Sequence, residues 1–475
     1  MNNKLILSAL AIIVSISSIL AQHQETNEKP LVYKGAKHHV PDSNTILYAF
    51  KKGTFHGHFR YFFMATDNAR NLTDYWANAA GGGLHYQTAK FKNFQFGVSG
   101  FYVFNIGSTQ LDTVDASTGQ QNRYEIGLFD QEDPHNHKDI DRLEELFLKY
   151  HVLKGHITLG RQMINTPFIN LQDGRMRPTG VEGIWYESES LKNTKIQVGY
   201  LYAMSPRGTT KWYEVQHSIG LYPSGVNSDG TKSDYFEHLS SKGIFSVGIS
   251  RQFNHGLQLN LWDIYVDNIF NSALAELEFK RAIKKDHIFY SSGQFIRQDA
   301  INYGGNIDPS KTYFTTKGKA MTFGFKTGIK AKKYDVSLNY NRITGHGRYL
   351  MPREWGRDPF YTFLPRERSE GFGDVHAIVL KGMRDFPRIH LKTSLAGGLV
   401  RMPDVTDYRL NKYGVPSYAQ FNLDVRYSFD NLLKGMDAQL LVVYKHGLGE
   451  TYGNDRYVIN KVDMFLWNFV LNYHF

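Results

Sequence analysis

The chain has 475 residues, no cysteine and a formal charge of +10. Disulfide staples, thiolate metal sites and a lipid-modified N-terminal cysteine are therefore excluded. The basic excess is too modest for a nucleic-acid binder and better suits anionic lipid headgroups or anionic solutes, while 30 tyrosines, 32 phenylalanines and 43 glycines favour strands over helices.

Residues 1–21 read as a secretory signal: Lys4 is the only charge, Leu5 to Leu20 is mostly apolar, and Ala21 is a small residue suited to cleavage. Ser8, Ser15, Ser17 and Ser18 dilute that run, which falls short of the ~20 residues a spanning helix needs. Residues 22–50 are polar and weakly patterned, and are expected to form a periplasmic lead-in segment or a partial plug. No linker divides residues 51–475, so they are read as one unit.

Strand-like segments recur from Phe55 to Phe475. In 55–64, Phe55, Gly57, Phe59, Tyr61 and Phe63 alternate with His56, His58, Arg60, Phe62 and Met64. Similar alternation starts at Phe94, Ile196, Met321, Tyr334 and Phe421, and it closes the chain with Trp467, Phe469, Leu471, Tyr473 and Phe475 set against Asn468, Asn472 and His474. A period of two puts these sets on opposite faces of a strand. Counting weaker segments gives roughly eighteen strands of ~10 residues. Short polar turns (87–93, 153–155, 253–256, 330–333 and 430–435) separate long connections at 105–144, 163–181, 205–242, 298–319 and 344–373. That asymmetry predicts an all-β transmembrane antiparallel barrel with short periplasmic turns and long extracellular loops.

Strand charges test this reading, because Arg or Lys on a lipid face costs ~2–4 kcal/mol at the midplane. Arg60, Lys326, Lys330, Asp424, Arg426, Glu276 and Glu278 all share parity with the polar set, whereas Arg161, Arg251 and Arg342 carry the apolar parity at strand ends. Arg60, Lys326, Lys330 and Arg426 are thus expected to face the lumen. Other signals carry less. His56 and His58 share a face without an evident third ligand, and His135-Asn136-His137 reads as a hydrophilic loop. Asp141 to Glu145 reads as a charged approach to a strand, and Gly81-Gly82-Gly83 as a turn. No Ser/His/Asp set or carboxylate pair stands out, so neither an enzyme, a metal nor a cofactor is expected.

Two arginine-rich loops are the candidates for a narrow point. Residues 160–183 carry Arg161, Asp173, Arg175, Arg177 and Glu182; residues 342–374 carry Arg348, Arg353, Arg357, Arg366 and Arg368 beside five carboxylates. A guanidinium binds carboxylate or phosphate bidentately and stays charged at any relevant pH. The ordinary reading of any one of them is a solvated charge, paired within its loop or with lipopolysaccharide phosphates.

Gly160-Arg161-Gln162, Pro167, Asp173-Gly174-Arg175-Met176-Arg177-Pro178 and Glu182-Gly183, with Ser369-Glu370-Gly371-Phe372-Gly373-Asp374 downstream, resemble the OprD family of outer-membrane porins. The resemblance implies an eighteen-stranded barrel, monomeric or loosely trimeric, that passes small, often carboxylate-bearing solutes through an eyelet shaped by the third loop. It places Asp173, Arg175 and Arg177 in that loop, and it implies a final strand ending in an aromatic residue, here Phe475, for the barrel-assembly machinery to read. The expectation is a Gram-negative outer-membrane porin in contact with lipid and lipopolysaccharide. Loop 163–181 narrows it, and Arg161, Asp173, Arg175, Arg177 and Glu182 set its selectivity. The alternatives are a non-conducting barrel for ligand binding or adhesion, which would give no liposome swelling, and a barrel hydrolase.

Overall fold

The structure, a computed structural model, describes residues 44–138, 140–171 and 175–475. The expected signal, residues 22–43 of the lead-in segment, and Asp173 lie outside the described residues.

The alternating segments form eighteen antiparallel strands closed into one barrel. The first seven are β1 Thr54–Asp67, β2 Tyr75–Gln87, β3 Phe94–Ser108, β4 Ile140–Val152, β5 Gly155–Gln162, β6 Gly180–Ser188 and β7 Thr194–Ser205. A two-residue strand, β8 Tyr213–Glu214, pairs only with the end of β7. The wall continues with β9 Ile244–Gln252, β10 Leu257–Val266, β11 Phe270–Lys284, β12 His287–Ala300, β13 Lys319–Ala331 and β14 Tyr334–Ile343. It ends with β15 Val375–Phe386, β16 Leu391–Arg401, β17 Tyr418–Ser428, β18 Met436–Gly447 and β19 Met464–His474. Every wall strand pairs with its neighbours in sequence, and β19 closes on β1 with His474 opposite His58 and Phe465 opposite Asp67. Closure leaves no open edge, so the wall satisfies its own backbone groups, as a bilayer requires.

The outward parity is apolar all round. Phe59, Phe323, Leu395 and Phe421 are 55 %, 48 %, 64 % and 57 % exposed, each on a different stretch of wall. Trp467, Phe469, Tyr473 and Phe475 face the same way, while Asn468, Asn472 and His474 are buried inside. A belt of this extent is a lipid face. Glycines let aromatic rings lie across the neighbouring strand: a Cβ on Gly57 would meet the Phe475 ring at 2.0 Å, and one on Gly248 the Trp262 ring at 2.5 Å.

The connections alternate in length. Short turns such as 88–93, 153–154, 285–286 and 332–333 lie at one end, and the long loops 109–139, 163–179, 206–243, 301–318, 344–374, 402–417 and 448–463 at the other. Loops 402–417 and 448–463 add to the five long connections read from the sequence. The expected loop 105–144 is shorter, because Asp141 to Glu145 belong to β4. A bulge at Glu144, where Ser99 pairs with Glu145 and Gly100 with Leu143, turns both glutamates inward and breaks the two-residue period.

The periplasmic half of the lumen is polar, whereas the loop-side half mixes polar groups such as Arg142, Glu144, Gln298 and Gln420 with an apolar ring. Inward positions of the periplasmic half include His58, Lys326, Lys381, Asp424 and Arg426. Toward the loops the same parity carries the apolar ring, with Met64, Val103, Ile140, Val181, Ile244, Val266, Ile343, Val375 and Met464 all buried. The long loops fold in and pack on this ring, burying Trp355, Phe360, Phe314 and Tyr349 against β6, β10 and β11, and Tyr124, Leu128 and Met176 against β1, β3 and β19. At the opposite end a short helix, α1 Ile46–Lys51, is capped by Thr45 and held to the wall by Ala89 N–H on Ala49 O (2.9 Å) and the Tyr86 hydroxyl on Phe50 O (2.5 Å).

Candidate functional site

Loop 344–374 crosses the lumen as a bar. The Tyr361 hydroxyl donates to Glu276 on β11 (2.5 Å), and Thr362 N–H donates to Asn341 on β14 (3.2 Å). Lys381 on β15 donates to the carbonyls of Tyr361 and Phe363 (2.8 Å each), and Gln420 on β17 to Pro365 O (2.7 Å). Loop 163–179 is zipped onto this bar: Asn170 N–H donates to Trp355 O, the Asn170 amide to Arg357 O, and Thr179 Oγ1 to Glu354 O.

Below the bar lies a cavity of about 590 Å³, lined among others by Lys326, Lys330, Lys381, Arg357, Arg426, Glu278, Asp335 and Asp424. Its cations are partly compensated. Arg426 pairs with Asp424 (2.9 Å), Lys280 with Glu278 (2.9 Å), and Lys330 stands opposite Asp335 across β13 and β14. Lys326 sits over the Tyr361 ring at 4.7 Å.

Above the bar the space shrinks to about 40 Å³, and its lining is dominated by guanidiniums. Arg123, Arg175, Arg207, Arg353, Arg366 and Arg368 converge there from loops 109–139, 163–179, 206–243 and 344–374, with Glu367 as the one lining carboxylate among the described residues. Each is held by carbonyls or rings. Arg175 donates to Tyr124 O, and Gly127 leaves room for it, since a Cβ there would lie 2.2 Å from its Nη1. Arg353 donates to Pro223 O, and Arg368 to Gly356 O (3.0 Å). Arg207 lies over Tyr222 at 5.2 Å, and Arg366 over Tyr124 at 5.8 Å.

Behind the gap sits a buried clasp. Lys412 of loop 402–417 is 2 % exposed, donates to Glu370 Oε1 (2.9 Å), and is caged by the rings of Tyr235, Tyr313 and Tyr413 at 4.9, 5.0 and 5.3 Å. The Tyr413 hydroxyl donates to the other Glu370 oxygen (2.5 Å), and Arg353 lies 3.7 Å from it. Burial pushes the Glu370 carboxyl up, but Lys412, Arg353 and the Tyr413 hydroxyl outweigh it and leave it below the ordinary carboxylate range. Nearby Asp358 has less compensation. Burial, opposed by Arg368 and the Ser369 N–H, pushes its carboxyl up to about 6.

The expected site residues divide accordingly. Arg175, Arg353, Arg366 and Arg368 meet at the gap, and Lys326, Lys330, Arg357 and Arg426 line the lower cavity. Arg60 faces inward but is occupied as a strut, donating to Asn472 Oδ1 (2.7 Å) and to Arg175 O. Two arginines expected in the pore are instead pins between loops and wall: Arg177 donates to Ile140 O and Thr209 O, and Arg348 to Val226 O, Asn227 O and Tyr408 O. Arg161 and Glu182 are corrected most sharply. They share the outward parity of Leu159 and Ile184, pair with each other at 3.1 Å, and Arg161 stacks on Trp212 at 4.7 Å, all on the outer wall. The sequence reading missed Lys381, Arg123, Arg207 and the Glu370–Lys412 clasp.

Comparison with known proteins agrees with the barrel. No curated protein matches in sequence. Among solved structures, Acinetobacter baumannii OccAB4 has a TM-score of 0.68 at 15% identity, covering 89% of this chain and 98% of that one. Pseudomonas aeruginosa OccD3 (OpdP) has a TM-score of 0.66 at 12% identity, covering 90% and 92%. Pseudomonas aeruginosa OpdK, solved with vanillate, has a TM-score of 0.66 at 13% identity, covering 90% and 99%. The model of the outer membrane porin, OprD family, matches residues 50–359, and with that span and an eighteen-stranded barrel, the chain belongs to the OprD family of outer-membrane porins.

Proposed function

We propose that this porin passes small carboxylate-bearing solutes, and that the arginine gap above the bar selects them. The carrying observation is the convergence of six guanidiniums from four loops on one space, with a single lining carboxylate among the described residues. Confined like charges raise the local concentration of counter-ions and lower the barrier for an anion relative to a cation. The planar forks also suit a carboxylate that arrives edge-on. Beyond the bar, lysines interspersed with carboxylates hand the solute on without trapping it. Conduction requires that binding stay weak enough to release.

OpdK, a fold neighbour, was crystallised with vanillate, an aromatic carboxylate, so benzoate is an apt probe. Proteoliposomes should take up benzoate faster than the isosteric neutral benzamide, and Arg366→Gln/Arg368→Gln should abolish that preference. Equal rates for the two solutes in the unsubstituted protein would refute carboxylate selection. The narrowness of the gap favours one competing reading, a barrel that binds solute without conducting it. Planar-bilayer recordings without discrete current steps would decide for that reading.

A further inference from the structure

We infer that the outer wall carries a built seat for the phosphorylated glycolipid of the outer leaflet, lipid A, at the extracellular ends of β14, β15 and β16. Arg342, His376 and Arg401 are direct cross-strand partners, Arg342 opposite His376 and His376 opposite Arg401. All three have the outward parity, beside the exposed residues Tyr340, Ile378 and Leu399. They therefore form a basic row across three adjacent strands, spanning about 10 Å at the usual strand spacing. The row lies at the rim where the long loops begin, the level of the lipid phosphates in the outer leaflet of a porin's membrane.

Two further features mark the row as a site rather than a scatter of rim charges. First, the other guanidiniums on outward strand positions near this rim are covered by the chain itself. Arg161 holds Glu182 at 3.1 Å, Arg297 holds Asp299 at 2.7 Å, and within the row Arg342 is paired with Asp374. Arg401 differs: it is exposed and makes no ion pair among the described residues. The neighbouring His376 accepts or donates at Nδ1 to the Tyr340 hydroxyl (2.8 Å), which fixes its ring beside Arg401. Second, beside and below the row lies a groove of about 330 Å³, bounded by Tyr340, Ile378 and Leu399 with Leu448 on its loop side, and bordered by His376 and Arg401. Arg401 has no anion of its own among the described residues, and an anion set between it and His376 would supply one. A phosphate on Arg401 and His376, with its own acyl chain in the groove, satisfies both the charge and the apolar wall. A free phosphate ion satisfies only the first.

The test uses the full barrel in non-ionic detergent, titrated with bis-phosphorylated lipid A and read by native mass spectrometry. Arg401→Gln should weaken binding about tenfold, the loss of one charge-assisted contact, whereas Arg161→Gln, whose charge is already covered, should not. Dephosphorylated lipid A should bind the unsubstituted protein weakly and show no further loss on Arg401→Gln. Leu399→Trp, which fills the groove, should weaken lipid A while leaving the basic row intact, and it carries the test if Arg401→Gln does not fold. Equal affinity of Arg401→Gln and the unsubstituted protein would overturn the seat. So would displacement of lipid A by inorganic phosphate, or equally tight binding of phosphatidylglycerol.

Discussion

The lumen has two basic regions, and they are built on different principles. Below the bar, Lys326, Lys330, Lys381 and Arg426 rise from regular strands, so a two-residue period alone decides which way they face. Above it, Arg123, Arg175, Arg207, Arg353, Arg366 and Arg368 come from irregular loops, and their aim depends on what those loops pack against. The wall reflects this division, carrying an apolar ring where the loops adhere and mainly polar side chains where only solute passes. Wall-mounted charges are stiff by construction. Loop-mounted charges are only as stiff as the packing behind them.

The largest effect should therefore come from a residue that never meets solute. Lys412→Met removes the shortest ion pair of the buried Glu370 carboxylate, leaving it Arg353 at 3.7 Å and the Tyr413 hydroxyl, and breaking a buried pair costs about 3–5 kcal/mol. Loops 206–243, 301–318, 344–374 and 402–417 should loosen together, raising single-channel conductance several-fold and flattening ion selectivity, with the barrel still resistant to heat in detergent. The double substitution Lys412→Met/Glu370→Met removes both buried charges, leaves Arg353 its bond to Pro223 O, and should restore part of the native conductance. If Lys412→Met conducts like the parent, the clasp does not hold the gap.

Next in size is a direct contrast of the two regions. Arg366→Gln/Arg368→Gln should lower the chloride-to-potassium permeability ratio about tenfold, because the charges face a space of only about 40 Å³. Lys326→Gln/Lys381→Gln removes the same formal charge from a cavity of about 590 Å³ with carboxylates in its wall, and should shift the ratio only about twofold. Equal shifts would put selectivity in the wall rather than in the loops.

The same division explains what the amino-acid sequence discloses. The barrel is legible in segments such as 55–64 and 467–475, where hydrocarbon on one side enforces a strict period. Parity alone also identifies Lys381, between outward-facing Leu380 and the next inward position, Met383. It likewise places Arg161 outside, with Leu159, a better guide than its nearness to the third loop. β4 escapes because the bulge at Glu144 interrupts its period. The gap itself is not legible. Arg175 and Arg177 are two residues apart, yet one reaches the gap and the other is pinned to Ile140 and Thr209. Glu370 and Lys412, from separate loops, meet only through tertiary packing that leaves no local pattern.

A smaller perturbation tests the aim of one guanidinium. Gly127→Ala puts a methyl where Arg175 Nη1 now lies, at 2.2 Å, in a buried loop without positive φ at that position. The guanidinium must move while its charge stays. Selectivity should fall about twofold with little change in conductance, whereas Lys412→Met changes both. A wholly unchanged permeability ratio would mean that the position of Arg175 in the gap does not matter.

Smallest of all is the pH response, which would separate the regions without any substitution in either lining. Asp358 sits in the bar with its carboxyl pushed up to about 6 by burial, against an ordinary value of 3.8. Because the folded value lies above the unfolded one, its contribution to the packing of loop 344–374 is complete below about pH 4 and is lost as pH rises through about 6. Burial moves Glu354 in the same loop, and Glu125 beneath the gap, in the same direction. The loop should thus be tighter at pH 5 than at pH 7. With Asp358 neutral, Arg368 also loses a compensating charge, so the anion preference should be somewhat higher at pH 5 and open-channel noise lower. Asp358→Asn should hold the acidic behaviour at pH 7 and flatten the profile between the two. A wild-type permeability ratio identical at pH 5 and pH 7, with Asp358→Asn indistinguishable from it, would show that the bar does not respond to this carboxyl.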